Sequence, residues 1–124
     1  MSIEQAIPKK SRKIVIRVKE KTHFINIEEI SYLHCDCYLT TVHTCIGEKI
    51  TVARLLKYFE EDLLGEGFVR VNRNILINCK KVKSFERGGN RMITMDTKER
   101  LKASRRGLVK LKLVIDNQTD YFLP

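Results

Sequence analysis

The chain has 124 residues, 43% of them hydrophobic, and a formal net charge of +9. That length and apolar content suffice for one domain with its own core, without disulfide or metal staples. No apolar run approaches the roughly 18–20 residues of a bilayer-spanning helix, and Met1–Arg12 lacks the apolar centre of a signal peptide. The protein is therefore expected in the cytoplasm, away from any membrane, with Cys35, Cys37, Cys45 and Cys79 reduced.

Residues 1–12, with Pro8 and a run of Lys9, Lys10, Ser11 and Arg12, read as a flexible lead-in. The domain is expected over 13–117, followed by a tail at 118–124. Ile14, Ile16 and Val18 alternate with Val15, Arg17 and Lys19, the period of a strand with one face buried. A turn at Lys21-Thr22 would lead into a second strand, His23–Ile27. Ile30–Leu33 and Tyr38–Thr44 read as two further extended segments. After Gly47-Glu48 the chain returns as a strand at Lys49–Val52. Then Val52, Leu55, Leu56, Phe59 and Leu63 fall at helical spacing, and Gly65 and Gly67 stop the helix. Its outer face carries Glu60, Glu61 and Asp62, a poor surface for nucleic acid.

The second half is a series of short β-like segments: Phe68–Val71, Ile75–Ile77, Val82–Phe85, Met92–Met95 and Arg100–Lys102. Gly88-Gly89-Asn90 and Asp96-Thr97-Lys98 mark turns. Ser104 can cap a last helix carrying Leu108, Leu111, Val114 and Ile115 on one face. Many short strands with one or two helices predict a mostly-β fold.

The positive charge is regional. Residues 70–112 hold fourteen basic and three acidic side chains, whereas the rest of the chain holds ten and twelve. A one-sided cationic field suits a polyanion, because each neutralised phosphate releases condensed counterions. The plain alternative is a basic surface that serves solubility.

Two motifs stand out within that stretch. In Arg70-Val71-Asn72-Arg73-Asn74, three successive side chains end in hydrogen-bonding groups, as on an exposed turn. Arginine can pair bidentately with a guanine edge or a phosphate and asparagine with adenine, although Asn72 and Asn74 equally suit a turn. In Ala103-Ser104-Arg105-Arg106-Gly107, the last strand meets the last helix, whose free N–H groups and positive dipole end welcome a phosphate. The plain alternative is a solvated, charge-rich helix start, but arginine is not the usual residue near a positive dipole end, and that mismatch favours a binding role.

Other chemistries fare poorly. His34, Cys35, Cys37, His43, Cys45 and Cys79 include zinc-ligand types, but Cys35 and Cys37 lack the usual spacing, and a strand would put both on one face as small core residues. His23 reads as a surface residue. There is no nucleophile elbow and no Gly-rich phosphate loop, so neither an enzyme nor a cofactor is expected.

The two motifs, in this order and at this separation, resemble the LytTR domain, the DNA-binding output module of LytR/AgrA-type bacterial response regulators in two-component systems. The resemblance runs from Lys13 to Ile115 and rests on Ile30-Ser31-Tyr32-Leu33 followed by Tyr38, the amphipathic helix, the Gly67–Asn78 segment, and Ala103-Ser104-Arg105-Arg106. The family commonly has phenylalanine-arginine-apolar-histidine-arginine-serine in the second of these; here Asn72 stands for the histidine and Asn74 for the serine.

The resemblance implies an elongated mostly-β domain whose loops enter successive grooves of double-stranded DNA, for transcription regulation. Tyr38 matches a major-groove position in the loop after the third strand, and Asn72, Arg73 and Asn74 match the central contact loop. Arg106 matches a base reader, with Ser104 and Arg105 on nearby phosphates. Lys80, Lys81, Arg87, Lys98 and Lys102 are expected to add weaker phosphate contacts. The resemblance further implies homodimers on paired promoter repeats and a receiver or sensor partner outside this chain. The competing expectation is a non-enzymatic basic module that meets RNA or an acidic protein. With nine aromatics, of which Phe59 and Phe85 hold core-like positions, a stacking platform for RNA is poorly supported.

Overall fold

A computed structural model describes residues 12–118. Its strands are β1 (Lys13–Val18), β2 (Lys21–Asn26), β3 (Ile30–Asp36), β4 (Leu39–Thr44), β5 (Lys49–Val52), β6 (Phe68–Asn72), β7 (Ile75–Asn78), β8 (Val82–Phe85), β9 (Met92–Met95) and β10 (Arg100–Lys102). The helices are α1 (Leu56–Asp62) and α2 (Arg105–Gln118), and single 3-10 turns occupy Ile27–Glu29 and Cys79–Lys81. The fold is mostly β, as the sequence predicts. Apart from Arg12 and Gln118, the expected lead-in at 1–12 and tail at 118–124 lie outside the described residues.

A five-stranded antiparallel sheet, ordered β5-β4-β3-β7-β6, forms the middle layer. Strand alternation sends Leu33, Val42, Ile50 and Leu76 to one face, where the β1-β2 hairpin and α1 cover them. It sends Tyr32, Val69, Val71, Ile75 and Ile77 to the other, under the β10-β9-β8 sheet and α2. β7 feeds both cores, and all four of its residues are buried.

Several boundaries differ from the expectation, two of them because strand register sets the turns. Pairing of Val18 with Lys21 places the first turn at Lys19-Glu20, with Lys19 at φ 55°, ahead of the expected Lys21-Thr22. Pairing of Asp36 with Leu39 likewise extends β3 to Asp36 and puts Cys37-Tyr38 in a two-residue turn, Cys37 at φ 57°. Two-residue turns with left-handed residues match the twist of the strands they join. Tyr38 thus leaves the expected strand, and Cys37, expected in the core beside Cys35, is exposed while Cys35 is buried. Helix α1 begins only at Leu56: Leu56, Phe59 and Leu63 are buried, but Leu55 is exposed. The Gly88 region is a longer loop from Glu86 to Arg91, closed by the Glu86 N–H on the Met92 carbonyl.

Candidate nucleic-acid interface

Antiparallel pairing brings the two sequence motifs and Tyr38 to one end of the central sheet. β3 runs beside β7, so its far end meets the start of β7: the Cys35 N–H donates to the Asn74 carbonyl at 2.8 Å. This sets the Cys37-Tyr38 turn next to the Arg73-Asn74 turn. The junction between β10 and α2 is drawn to the same place by Val71, whose carbonyl accepts the Ser104 N–H at 2.8 Å and the Ser104 hydroxyl at 3.1 Å. Residues some thirty positions apart thereby line one open depression of about 200 Å³, between Arg70, Arg73, Ser104, Arg106 and Lys110.

Each side chain has a local reason for its place. Ser104 caps α2, its Oγ accepting the Gly107 N–H at 2.9 Å, three residues on. Arg105 and Arg106 occupy the first turn and are exposed. That leaves two cationic side chains beside backbone N–H groups, an arrangement that receives an anion. At the central turn Arg73 and Asn74 are exposed, but Asn72 is committed internally. Its Oδ1 accepts the Asn74 N–H at 2.7 Å, and its Nδ2 donates to the Lys102 carbonyl at 2.6 Å. These bonds tie the central turn to the end of β10, and Asn72 lines the depression beside Arg73. Tyr38, 64% exposed, stands at its own tip outside the depression.

The residues expected to make weaker contacts divide between the two ends of the sheet. Lys102 lies at this end, and the loop bearing Arg87 is tethered beside it, the Ala103 N–H donating to the Arg91 carbonyl at 2.9 Å and Arg91 Nε to the Ala103 carbonyl at 3.1 Å. Lys80, Lys81 and Lys98 lie at the opposite end, where the Asp96 N–H meets the Lys81 carbonyl. The four-residue strands β7 and β9 separate the two groups by roughly 13 Å.

Two basic residues in the depression, Lys110 and Arg70, are not among the contacts expected from the sequence, although Arg70 heads one of its two motifs. Lys110 lies one helical turn beyond Arg106, and the i, i+4 spacing of two cations on α2 was the available signal. Arg70 bonds the Arg73 carbonyl and Glu60 at the wall of the depression, partners that no local pattern reveals.

The other end of the sheet carries a separate polar cluster. The Tyr32 and His43 rings stack with centroids 4.2 Å apart, and Glu99 accepts hydrogen bonds from Tyr32 and Thr97. Burial and the Glu99 contact push the Tyr32 hydroxyl well above the usual phenol range. Burial lowers His43, as do Lys49 and His34, against the opposing pull of Glu99. Burial alone would raise Glu99, but its two hydrogen bonds and the charges of His43 and Lys49 hold it below the usual carboxylate value. This cluster braces the β9-β10 turn against β3 and β4. Among the described residues no three of His, Cys, Asp and Glu gather as a metal site, and no helix is long and apolar enough to cross a membrane.

The fold and site define a mostly-β domain that presents three connections, two of them arginine-bearing, at one end of a sheet. The LytTr DNA-binding domain profile matches residues 20–116, and the chain belongs to that family. Its solved relatives include a LytTr DNA-binding domain from Bacillus cereus, with a TM-score of 0.72 at 18% identity over 84% of this chain and 96% of that one. The chain is 28% identical to the sensory transduction protein LytR of Staphylococcus saprophyticus over 78% of its length, and 30% identical to the CO-responsive transcriptional regulator RcoM of Rhodospirillum rubrum over 77%. It spans 39% and 41% of those two relatives.

Proposed function

We propose that this chain, over residues 13–117, binds double-stranded DNA sequence-specifically and regulates transcription in the cytoplasm. The observation that carries the reading is the meeting of Arg73 and Arg106 in one depression, with Tyr38 at the adjacent turn and Lys102 and Arg87 alongside. The three connections enter neighbouring grooves. Arg73, Asn74 and Arg106 read base edges, because a fork of guanidinium donors fits guanine and an amide fits adenine. Ser104, Arg105, Lys110, Lys102 and Arg87 hold phosphates and set the register. Tyr38 adds a stacking or methyl contact, and Asn72 positions the central turn. Two copies occupy a promoter with paired repeats, and a receiver or sensor partner supplies the signal. LytR and RcoM are a sensory transduction protein and a CO-responsive regulator, which supports a signalling setting.

The test is selection of bound duplexes from a random pool, followed by competition between the enriched duplex, a random duplex and single-stranded RNA across a salt series. Enrichment of one sequence family and its preference over both competitors are expected. Equal binding of the three, or preference for RNA, contradicts the proposal.

A further inference from the structure

We infer that Arg70, braced by Glu60, is a positioning residue that holds the Arg73-Asn74 turn in its reading geometry and does not itself neutralise a phosphate. The inference rests on the DNA-binding reading above and assigns a role within that site.

Arg70 lies on β6 just before a bulge, where the register shifts between Arg70 and Asn72. A bulge re-aims neighbouring side chains. Here the half-buried Arg70 folds back along the turn at the wall of the depression: Nη2 donates to the Arg73 carbonyl at 2.6 Å and Nη1 to Glu60 Oε1 at 3.3 Å, while Nε is buried with no partner among the described residues. Burying an unpaired donor is unfavourable, and a swing into solvent would relieve it. This pose is therefore held by its two other contacts. Its guanidinium faces the Glu60 carboxylate of α1 and has Nη1 and Nη2 engaged, so a phosphate would have to compete for a charge and donors that already have partners.

The result is a turn pinned on three backbone groups. Arg70 takes the Arg73 carbonyl, the Asn72 side chain takes the Asn74 N–H, and the Cys35 N–H takes the Asn74 carbonyl. The side chains of Arg73 and Asn74 project from a scaffold that does not have to be ordered on binding, which is how a short turn reads bases with precision. A lysine at position 70 would keep the charge, but one ammonium cannot span a carboxylate and a carbonyl in the planar fork of a guanidinium.

The experiment uses the full chain, the duplex enriched by the selection above and a random duplex of equal length. Affinities of the parent, R70M, R70K, E60Q and the E60Q/R70M double variant are measured across a salt series, with urea denaturation to establish folding. R70M is expected to lower the specific-to-random ratio about tenfold, the scale of one misread base pair. The salt slope should stay at the parent value, since the number of neutralised phosphates is unchanged. R70K should lose the ratio as R70M does, E60Q should lose less, and the double variant should be no worse than R70M alone. If R70M does not fold, R70K carries the test.

A slope reduced by about 0.9 with both duplexes weakened equally would make Arg70 a phosphate contact and overturn the inference. An undiminished ratio in R70M or R70K would overturn it too, while leaving the DNA reading intact. A parent that does not distinguish the two duplexes removes the DNA reading itself, a result seen before any variant is made.

Discussion

Gly107 and Val71 approach so closely that a Cβ on Gly107 would stand 1.9 Å from the Val71 carbonyl oxygen and 2.7 Å from its Cα. The obstacle is backbone, which cannot rotate away. Glycine is needed here because α2 must start hard against β6 for the Ser104 hydroxyl and N–H to reach the same carbonyl.

Gly107→Ala should therefore push α2 off β6 and destabilise the domain by about 2–4 kcal/mol, although alanine is the better helix former. Urea denaturation reads this as a lower midpoint at an unchanged slope. A variant as stable as the parent would mean that the two elements slide apart freely.

The split of the lysines gives a second expectation. Replacing Lys80, Lys81 and Lys98 together by alanine should leave the salt slope of DNA binding close to the parent value, because all three lie at the opposite end of the sheet from Arg73 and Arg106. Replacing Arg87 and Lys102 should lower the slope by about 1.8, two phosphates' worth. The reverse pattern would place the duplex at the wrong end of the molecule.

Much of the fold was legible in the sequence because alternation marks strands directly: Ile14 and Ile16, Val69 and Val71, Ile93 and Met95 each sit on a buried face. The turns were less so. Lys19 and Cys37 adopt positive φ without being glycine or asparagine, and only strand register places them there. Ser104 as a helix cap was readable from its position before an apolar stripe. Its bond to Val71, which joins the two motifs, was not, since it spans 33 residues. Nor could a linear charge count separate Lys80 from Lys102, because antiparallel strands send neighbours in sequence to opposite ends.

The Tyr32–His43–Glu99 cluster should make stability pH-dependent in a defined direction. His43 is lowered by burial, so the unfolded chain binds protons that the folded one refuses once the pH drops below about 6.5. Stability then falls with pH until the folded histidine is itself protonated. Glu99, also lowered, contributes stability above its ordinary value of 4.5 that disappears as the pH falls through its folded value. Denaturation midpoints from pH 8 to 4 should decline in both windows, and His43→Gln should flatten the first. A parent curve flat between pH 7 and 5 would contradict the assignment.

Thiol labelling checks whether the β3-β4 turn lies against bound DNA. Cys35 and Cys79 are buried, and burial pushes the Cys79 thiol up to about 11, so neither should react quickly at neutral pH. Cys37 is exposed next to Tyr38 and should be labelled first by a maleimide. Bound duplex should slow that labelling at least about tenfold, and a bulky adduct should weaken binding. Unprotected labelling of Cys37 in the complex would remove the β3-β4 turn from the interface.

The most direct measurement is the affinity of Arg106→Ala for the selected duplex, for single-base variants of it and for a random duplex. The expected result is a loss of about 1–3 kcal/mol on the selected duplex and flattened discrimination at one base pair, with random-duplex binding much less affected. A variant that binds every one of these duplexes as the parent does would contradict the assignment of this end of the sheet as the surface that reads DNA.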